Sequence, residues 1–204
     1  MNRSSSNEKC VRLRDRFREE TGLAILAAAE EVFAEEGLHG ARMEAIAARA
    51  GVAVGTVYNH FEDREALVEA LSCSRRGMLF DRIDAAIAAC SGAPVRDQLM
   101  ALFAALGEHA VVHGKFLTVL VQSGDGPARW KPRNEIQDGM MERVGKLVDR
   151  CIASGELRPD GREVYALALV SVVRLALVRV LEGQGNWDAL AEAIVDLFLR
   201  GART

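Results

Sequence analysis

Apolar residues recur at helical spacing along nearly the whole chain. Phe17, Ile25, Ala28, Ala29, Val32 and Phe33 follow a helical stripe, as on the buried face of an amphipathic helix. The two-residue alternation of half-buried strands is missing, and the breaks are brief Gly, Pro and Asn punctuation. Gly37 is placed to end the first helix in a left-handed conformation. A second helix is predicted over about Arg42–Ala50, closed by Gly51, and a third over about Val54–Phe61. Asp63 caps a long fourth helix towards Cys90, and Pro94 opens a fifth. Gly114 divides the fifth from a short sixth at Lys115–Gln122, and a seventh covers about Pro132–Ala153. Asp160 and Glu163 have capping-box spacing at the start of the eighth, and Asn186 caps the ninth.

The pattern predicts an all-α protein of about nine helices: a small head of three helices and a larger helical body. The head is expected over residues 1–64, with 1–15 as a flexible basic arm, and the body over 65–204. Val164–Leu181 is apolar enough to suggest a membrane span, but Arg174 and Arg179 interrupt it. An arginine at mid-span is costly in lipid, so the segment reads as a buried helix of a soluble protein.

The run Ile46-Ala47-Ala48-Arg49-Ala50-Gly51-Val52-Ala53-Val54-Gly55-Thr56-Val57-Tyr58 carries the sharpest signal. Two short helices joined at a glycine form a helix-turn-helix, whose second helix enters the DNA major groove. Ile46, Val52 and Val57 are spaced to close over one another, while Ala47 and Ala50 are small where the helices cross. Val54, Gly55, Tyr58 and Asn59 then point outward. Gly55 admits a close backbone approach, and Thr56 and Tyr58 offer hydroxyls to phosphates. Arg64 sits beside the N–H groups that open helix four. Arg42 has the reach for a phosphate or a guanine edge. His60 has two readings, a packing or capping residue and a phosphate contact. The arm arginines also have two, a minor-groove contact and a solvated tail.

Arg18, Ile25, Leu26, Ala28, Ala29, Phe33 and Gly37, followed by Ile46-Ala47, Ala50-Gly51-Val52, Gly55-Thr56, Tyr58, His60-Phe61, Arg64-Glu65 and Leu67, give a pattern that resembles the tetracycline-repressor (TetR) family over about residues 18–71. The resemblance implies a homodimeric repressor with a DNA-binding head and a body for ligand binding and dimerisation. By position it puts Thr56, Tyr58, His60 and Arg64 on the phosphate backbone, and Val54, Gly55 and Asn59 over the groove floor. The chain departs from the family pattern at Arg42 and Ala53, where hydroxyl residues are usual.

Charge changes the picture only locally. With 26 basic and 29 acidic residues, a formal net of −3 and a pI near 5.9, the chain lacks the excess of a non-specific nucleic-acid coat. The acids gather on helix one, while Arg42, Arg49 and Arg64 remain for the DNA face. The four cysteines have no C-x-x-C spacing and follow no secretory signal, which points to reduced thiols and a cytoplasmic location.

In the body, helix eight is apolar almost all round and requires cover on every side. A second subunit supplies it, through Leu167, Val170, Leu177, Trp187, Leu190, Ile194 and Phe198 in a four-helix interface. The alternative is closure of the subunit's own core. Met78, Phe103, Phe116, Met140 and Met141 are candidates to line a ligand pocket, with plain core packing as the other reading. Arg174 pairs within the body, crosses the interface, or meets an anionic ligand group. His109 and His113 share one helix face, but no third ligand is identifiable, and no metal or cofactor is expected. No order of Ser, His, Asp or Cys points to catalysis. The expected partners are operator DNA, a small-molecule effector and a second copy of the chain, without a membrane. The competing reading is a helical ligand-binding or thiol-sensing protein whose head contacts proteins.

Overall fold

A computed structural model of the chain describes residues 4–122 and 131–202, with side chains described over 15–120 and 135–202. Among them are eight α-helices: α1 (Ser4–Gly40), α2 (Met43–Ala50), α3 (Val54–His60), α4 (Arg64–Ala89), α5 (Val95–Gln122), α6 (Lys131–Ala153), α7 (Arg162–Leu181) and α8 (Trp187–Ala202). A single 3-10 turn, Pro159–Gly161, precedes α7. No strand occurs among the described residues, so the all-α expectation holds. The helices form two compact units, one up to Ser72 and one from Cys73, with α4 running from the first into the second.

In the first unit, Ile25, Ala29, Val32 and Phe33 of α1 meet Ile46 and Ala47 of α2, Val57 of α3, and Leu67 and Leu71 of α4, all of them buried. Each large aliphatic residue shut from water here contributes ~1.5–3 kcal/mol. Phe17 falls outside this stripe and is 64% exposed. α1 incorporates the basic segment expected as an arm, from Ser4 onward. Gly37 has the positive φ expected of it, 75, a backbone that favours glycine, with ψ 168 in place of the left-handed helical value. It kinks the helix, and Leu38–Gly40 add one more turn before Arg42.

In the second unit, Leu79 and Ile83 of α4, Leu99, Leu102 and Phe103 of α5, Val144 and Leu147 of α6, Leu169 and Val173 of α7, and Val195 of α8 share one core. The separate sixth helix is not formed. Gly114 lies within α5, where the Thr118 hydroxyl donates to its carbonyl at 2.8 Å. A Cβ at Gly114 would come within 3.2 Å of Leu181, so the glycine brings α5 close to the end of α7.

Two expected caps are observed. The Ala66 amide donates to Asp63 Oδ1 at 2.7 Å, and the Ala189 amide donates to Asn186 Oδ1 at 3.0 Å. The capping box at Asp160 is absent. Pro159 starts a 3-10 turn that leads directly into α7, and Gly161 holds the N-cap position without a side-chain bond. The ring of Tyr165 fills the space where a residue with a Cβ would stand at Gly161.

α4 and α6 pack side by side in matched turns. Arg76 meets Glu135, Phe80 lies on Gly139, and Arg143 donates to Asp84 at 2.8 and 2.9 Å. Four residues separate successive contacts on both helices, the repeat of a parallel pair.

By length and composition, Pro159–Leu181 meets the requirement for a membrane span, and 33% of its apolar window is buried. Within a single chain α7 is therefore not covered on every side. Tyr165, Leu169 and Val173 turn inward, while Val164, Leu167, Val172 and Leu175 are exposed.

Candidate nucleic-acid interface

The turn between α2 and α3 follows from one residue. Gly51 adopts φ 70 and ψ 27, left-handed backbone that an L side chain resists. Its amide donates to Ala48 O at 3.3 Å and that of Val52 to Ala47 O at 3.0 Å, closing a Schellman motif. Ala53 is the N-cap of α3, and its carbonyl accepts from the amides of Thr56 and Val57. Val57 is fully buried and fixes the rotation of the helix, so the positions around it face outward.

Of the eight residues expected at DNA, Arg42, Gly55, Tyr58 and Asn59 are exposed, and Val54, Thr56, His60 and Arg64 are half-buried. Tyr58 is 49% exposed, so the phenol is not a core residue. A Cβ at Gly55 would meet nothing within 4 Å, so nothing in the described structure requires glycine there. Arg42 occupies the N-cap position of α2 in extended backbone without a side-chain cap bond. It has no ion-pair partner among the described residues, and its charge is open to an incoming anion.

Three basic or titratable side chains are engaged within the head. His60 packs on α1, where a Cβ at Gly22 would lie 3.4 Å from Nδ1. Arg64 Nη1 donates to the carbonyl of His39 at 3.0 Å, tying the start of α4 to the turn after α1. Arg49, expected at the DNA face, is engaged with α1. It makes ion pairs with Glu31 at 2.9 Å and Glu35 at 2.8 Å, and these glutamates hold the guanidinium protonated well beyond its usual range. The sequence reading missed this clamp, although Glu31 and Glu35 are one helical turn apart and present two carboxylates on one face.

In the body, the expected pocket residues divide. Phe103, Phe116 and Met140 are buried, and Phe103 stacks obliquely on Trp187 with ring centres 5.7 Å apart. Met141 borders a cleft of about 300 Å³ between α6 and α7, beside Lys146, Asp149 and Arg162. Met78 and Arg174 are exposed, so Arg174 carries no desolvation penalty in need of a partner. Trp130, another bulky residue of this region, lies outside the described residues.

Among the residues named for the dimer interface, Leu167 is exposed, and Leu177, Leu190 and Ile194 are half-buried. Val170 is buried in the subunit's own core. Trp187 donates to Phe103 O at 2.9 Å, and Phe198 meets the Tyr165 ring edge-on, so both contribute to that core.

His109 and His113 are buried with ring centres 4.6 Å apart. No group of three metal-ligating side chains occurs among the described residues. Burial pushes the Cys151 thiol up to about 11, whereas Cys73 is exposed.

The family model for bacterial regulatory proteins of the tetR family matches residues 25–71, the segment from α1 to α4 just described. The HTH-type transcriptional regulator UidR of Escherichia coli (strain K12) is 45% identical over 51 residues, which is 25% of this chain and 26% of that protein. The chain thus aligns with about a quarter of the length of this curated relative. The fatty acid metabolism regulator protein of Bacillus subtilis (strain 168) is 26% identical over 186 residues, covering 88% of this chain and 94% of its own. The fold extends through the body as well. The structure of the transcriptional regulator FadR from Bacillus subtilis, in complex with stearoyl-CoA, superposes with a TM-score of 0.73 at 23% identity, over 88% of this chain and 98% of that one. Residues 25–71 thus match the tetR family model of bacterial regulatory proteins, and the body shares the all-α fold of the solved regulators.

Proposed function

We propose that the chain is a ligand-responsive transcriptional repressor that acts as a homodimer on a palindromic operator. The observation that carries this reading is the outer face of α3, where Gly55, Tyr58 and Asn59 are exposed around the buried anchor Val57. Thr56, Tyr58, His60 and Arg64 are assigned to phosphates, and Val54, Gly55 and Asn59 to the groove floor. Arg42, exposed and unpaired at the start of α2, takes a phosphate or a guanine.

A second copy fits the apolar faces left open on α7 and α8. Val164, Leu167 and Leu175 on α7 and Leu197 on α8 are 52–74% exposed. Exposed apolar residues grouped in this way mark an association surface. A two-fold pair presents two α3 helices to successive major grooves if they stand about 34–36 Å apart. Arg174 and Arg179 on the same α7 favour a protein partner over lipid for this face.

The effector is assigned to the interior of the body, near Phe103, Phe116 and Met140. An acyl-CoA is the first class to test, since stearoyl-CoA is the ligand in the FadR complex. To alter DNA binding it must favour the non-binding state over the binding one. The protein is read as cytoplasmic and without catalytic activity. A mobility shift with the DNA upstream of its own coding sequence tests the reading. A retarded band that a ligand abolishes supports it, and no retarded band at low salt overturns it.

A further inference from the structure

Arg76 stands where the pattern of α4 calls for an apolar residue. It belongs to the inward stripe that continues through Leu79, Ile83 and Ile87, all buried, and its own side chain is 16% exposed. Its Nη1 is shut off from solvent without a directed hydrogen bond. Glu135 Oε2 lies 2.5 Å from that atom, but off the line of its N–H bonds, and the Glu135 side chain is 54% exposed. Nη2 donates to Cys73 Sγ at 3.4 Å, a weak acceptor. A guanidinium removed from water needs well-aligned acceptors to offset its desolvation. Here that match is incomplete.

The helix register brings two more polar groups to the same level. α4 and α5 are joined by the turn at residues 90–94, and Arg82 pairs with Glu108, so the two helices run antiparallel. Arg76 is six residues before Arg82, or about 9 Å along α4. His113 is five residues beyond Glu108, about 7.5 Å in the same direction along α5. His109 and His113 are 4% and 7% exposed. Phe116, about one turn beyond His113 on α5, and Met140, five residues after Glu135 on α6, are buried apolar residues. By this register a cation and an imidazole stand at one level along the two helices.

We propose that Arg76, aided by His113, binds the anionic group of an amphipathic effector, a carboxylate or phosphate carried on an acyl chain. This rests on the reading of the body as an effector-binding unit. The anion takes the aligned acceptor position that Glu135 fills poorly, and displaces Glu135 into solvent. Guanidinium suits both anions, because its parallel N–H bonds match their paired oxygens. The acyl chain lies against Met140, on the next turn of α6.

The test is a fluorescence titration of the full chain with stearate, stearoyl-CoA and octadecanol below their aggregation limits. At least one of the two anionic probes should bind about tenfold or more tighter than octadecanol, as a charge-assisted pair requires. Stearate alone identifies a carboxylate site, and stearoyl-CoA alone a phosphate site. Arg76→Met should erase the difference and leave octadecanol binding unchanged, which also shows that the fold is intact. Glu135→Gln should tighten anion binding several-fold, a gain that mere damage to the fold would not produce. Equal binding of all three probes, binding of none, or an Arg76→Met variant that keeps the preference overturns the proposal. Operator release is scored separately. Anion binding without release leaves this site standing and overturns the ligand-responsive reading.

Discussion

Arg49 and Glu35 form a two-pronged ion pair, Nη2 to Oε2 at 2.8 Å and Nη1 to Oε1 at 3.2 Å, that fastens α2 to α1. Glu31 accepts from the same guanidinium at 2.9 Å. The clamp uses a basic residue adjacent to the recognition turn for positioning, while Arg42 has no ion-pair partner among the described residues. Arg42→Ala should therefore lower the slope of log affinity against log salt by about one for the operator, the signature of one lost phosphate contact. Arg49→Ala should leave that slope unchanged and lower the melting temperature. Binding isotherms at several salt concentrations, with a melting curve for each variant, separate the two roles.

The contact of Phe80 with Gly139 makes a second prediction. A Cβ at Gly139 would fall 2.4 Å from the ring, over whose face the Arg143 guanidinium lies 4.0 Å from the ring centre. Gly139→Ala should destabilise the body by about 1–3 kcal/mol, as overpacking does. Phe80→Leu should recover part of that loss in the double variant. Denaturant unfolding of the four proteins measures the coupling.

The thiols should differ in reactivity. Cys151 is 1% exposed and its thiol is pushed up to about 11 by burial, while Cys73 is exposed. Iodoacetamide at pH 8 should label Cys73 rapidly and Cys151 only after unfolding. The raised thiol also has a pH consequence. Between the ordinary value of 9.0 and about 11 the unfolded chain loses this proton and the folded chain keeps it, so stability falls as pH rises through that window. Cys151→Ala should flatten the decline, as read from unfolding curves between pH 8 and pH 11.

The open faces of α7 and α8 carry the association prediction. Leu175→Glu or Leu197→Glu should convert a dimer to a monomer in light scattering, since each puts a charge into the proposed apolar contact. A dimer of unchanged affinity in both variants would move the interface elsewhere.

The helix-turn-helix was legible in the sequence because local rules fix it. Gly51 requires a positive φ, Val57 sets the rotation of α3, and Asp63 caps α4. Long-range geometry was not legible. Gly114 looked like a break, yet it is a close approach to Leu181, 67 positions later in the chain. Arg49 looked available for DNA, because one-dimensional charge counting does not show that α1 brings two glutamates onto it. Trp187 and Phe198 also pack against the subunit's own core, which periodicity did not show, because it marks a face as apolar and not whether the same chain covers part of it. Arg76 was passed over within a helix rich in arginine, and its place on the inward stripe emerged only with the register of α4 against α6.

The most direct test of the central claim is fluorescence anisotropy of the labelled upstream DNA with the wild-type chain and with the Tyr58→Ala and Asn59→Ala variants at fixed salt. Both variants remove exposed side chains and should keep wild-type helical content by circular dichroism. The account predicts tight wild-type binding that weakens steeply with salt, and losses of about tenfold or more in each variant. Wild-type affinity in both variants, or no wild-type binding at low salt, would contradict it.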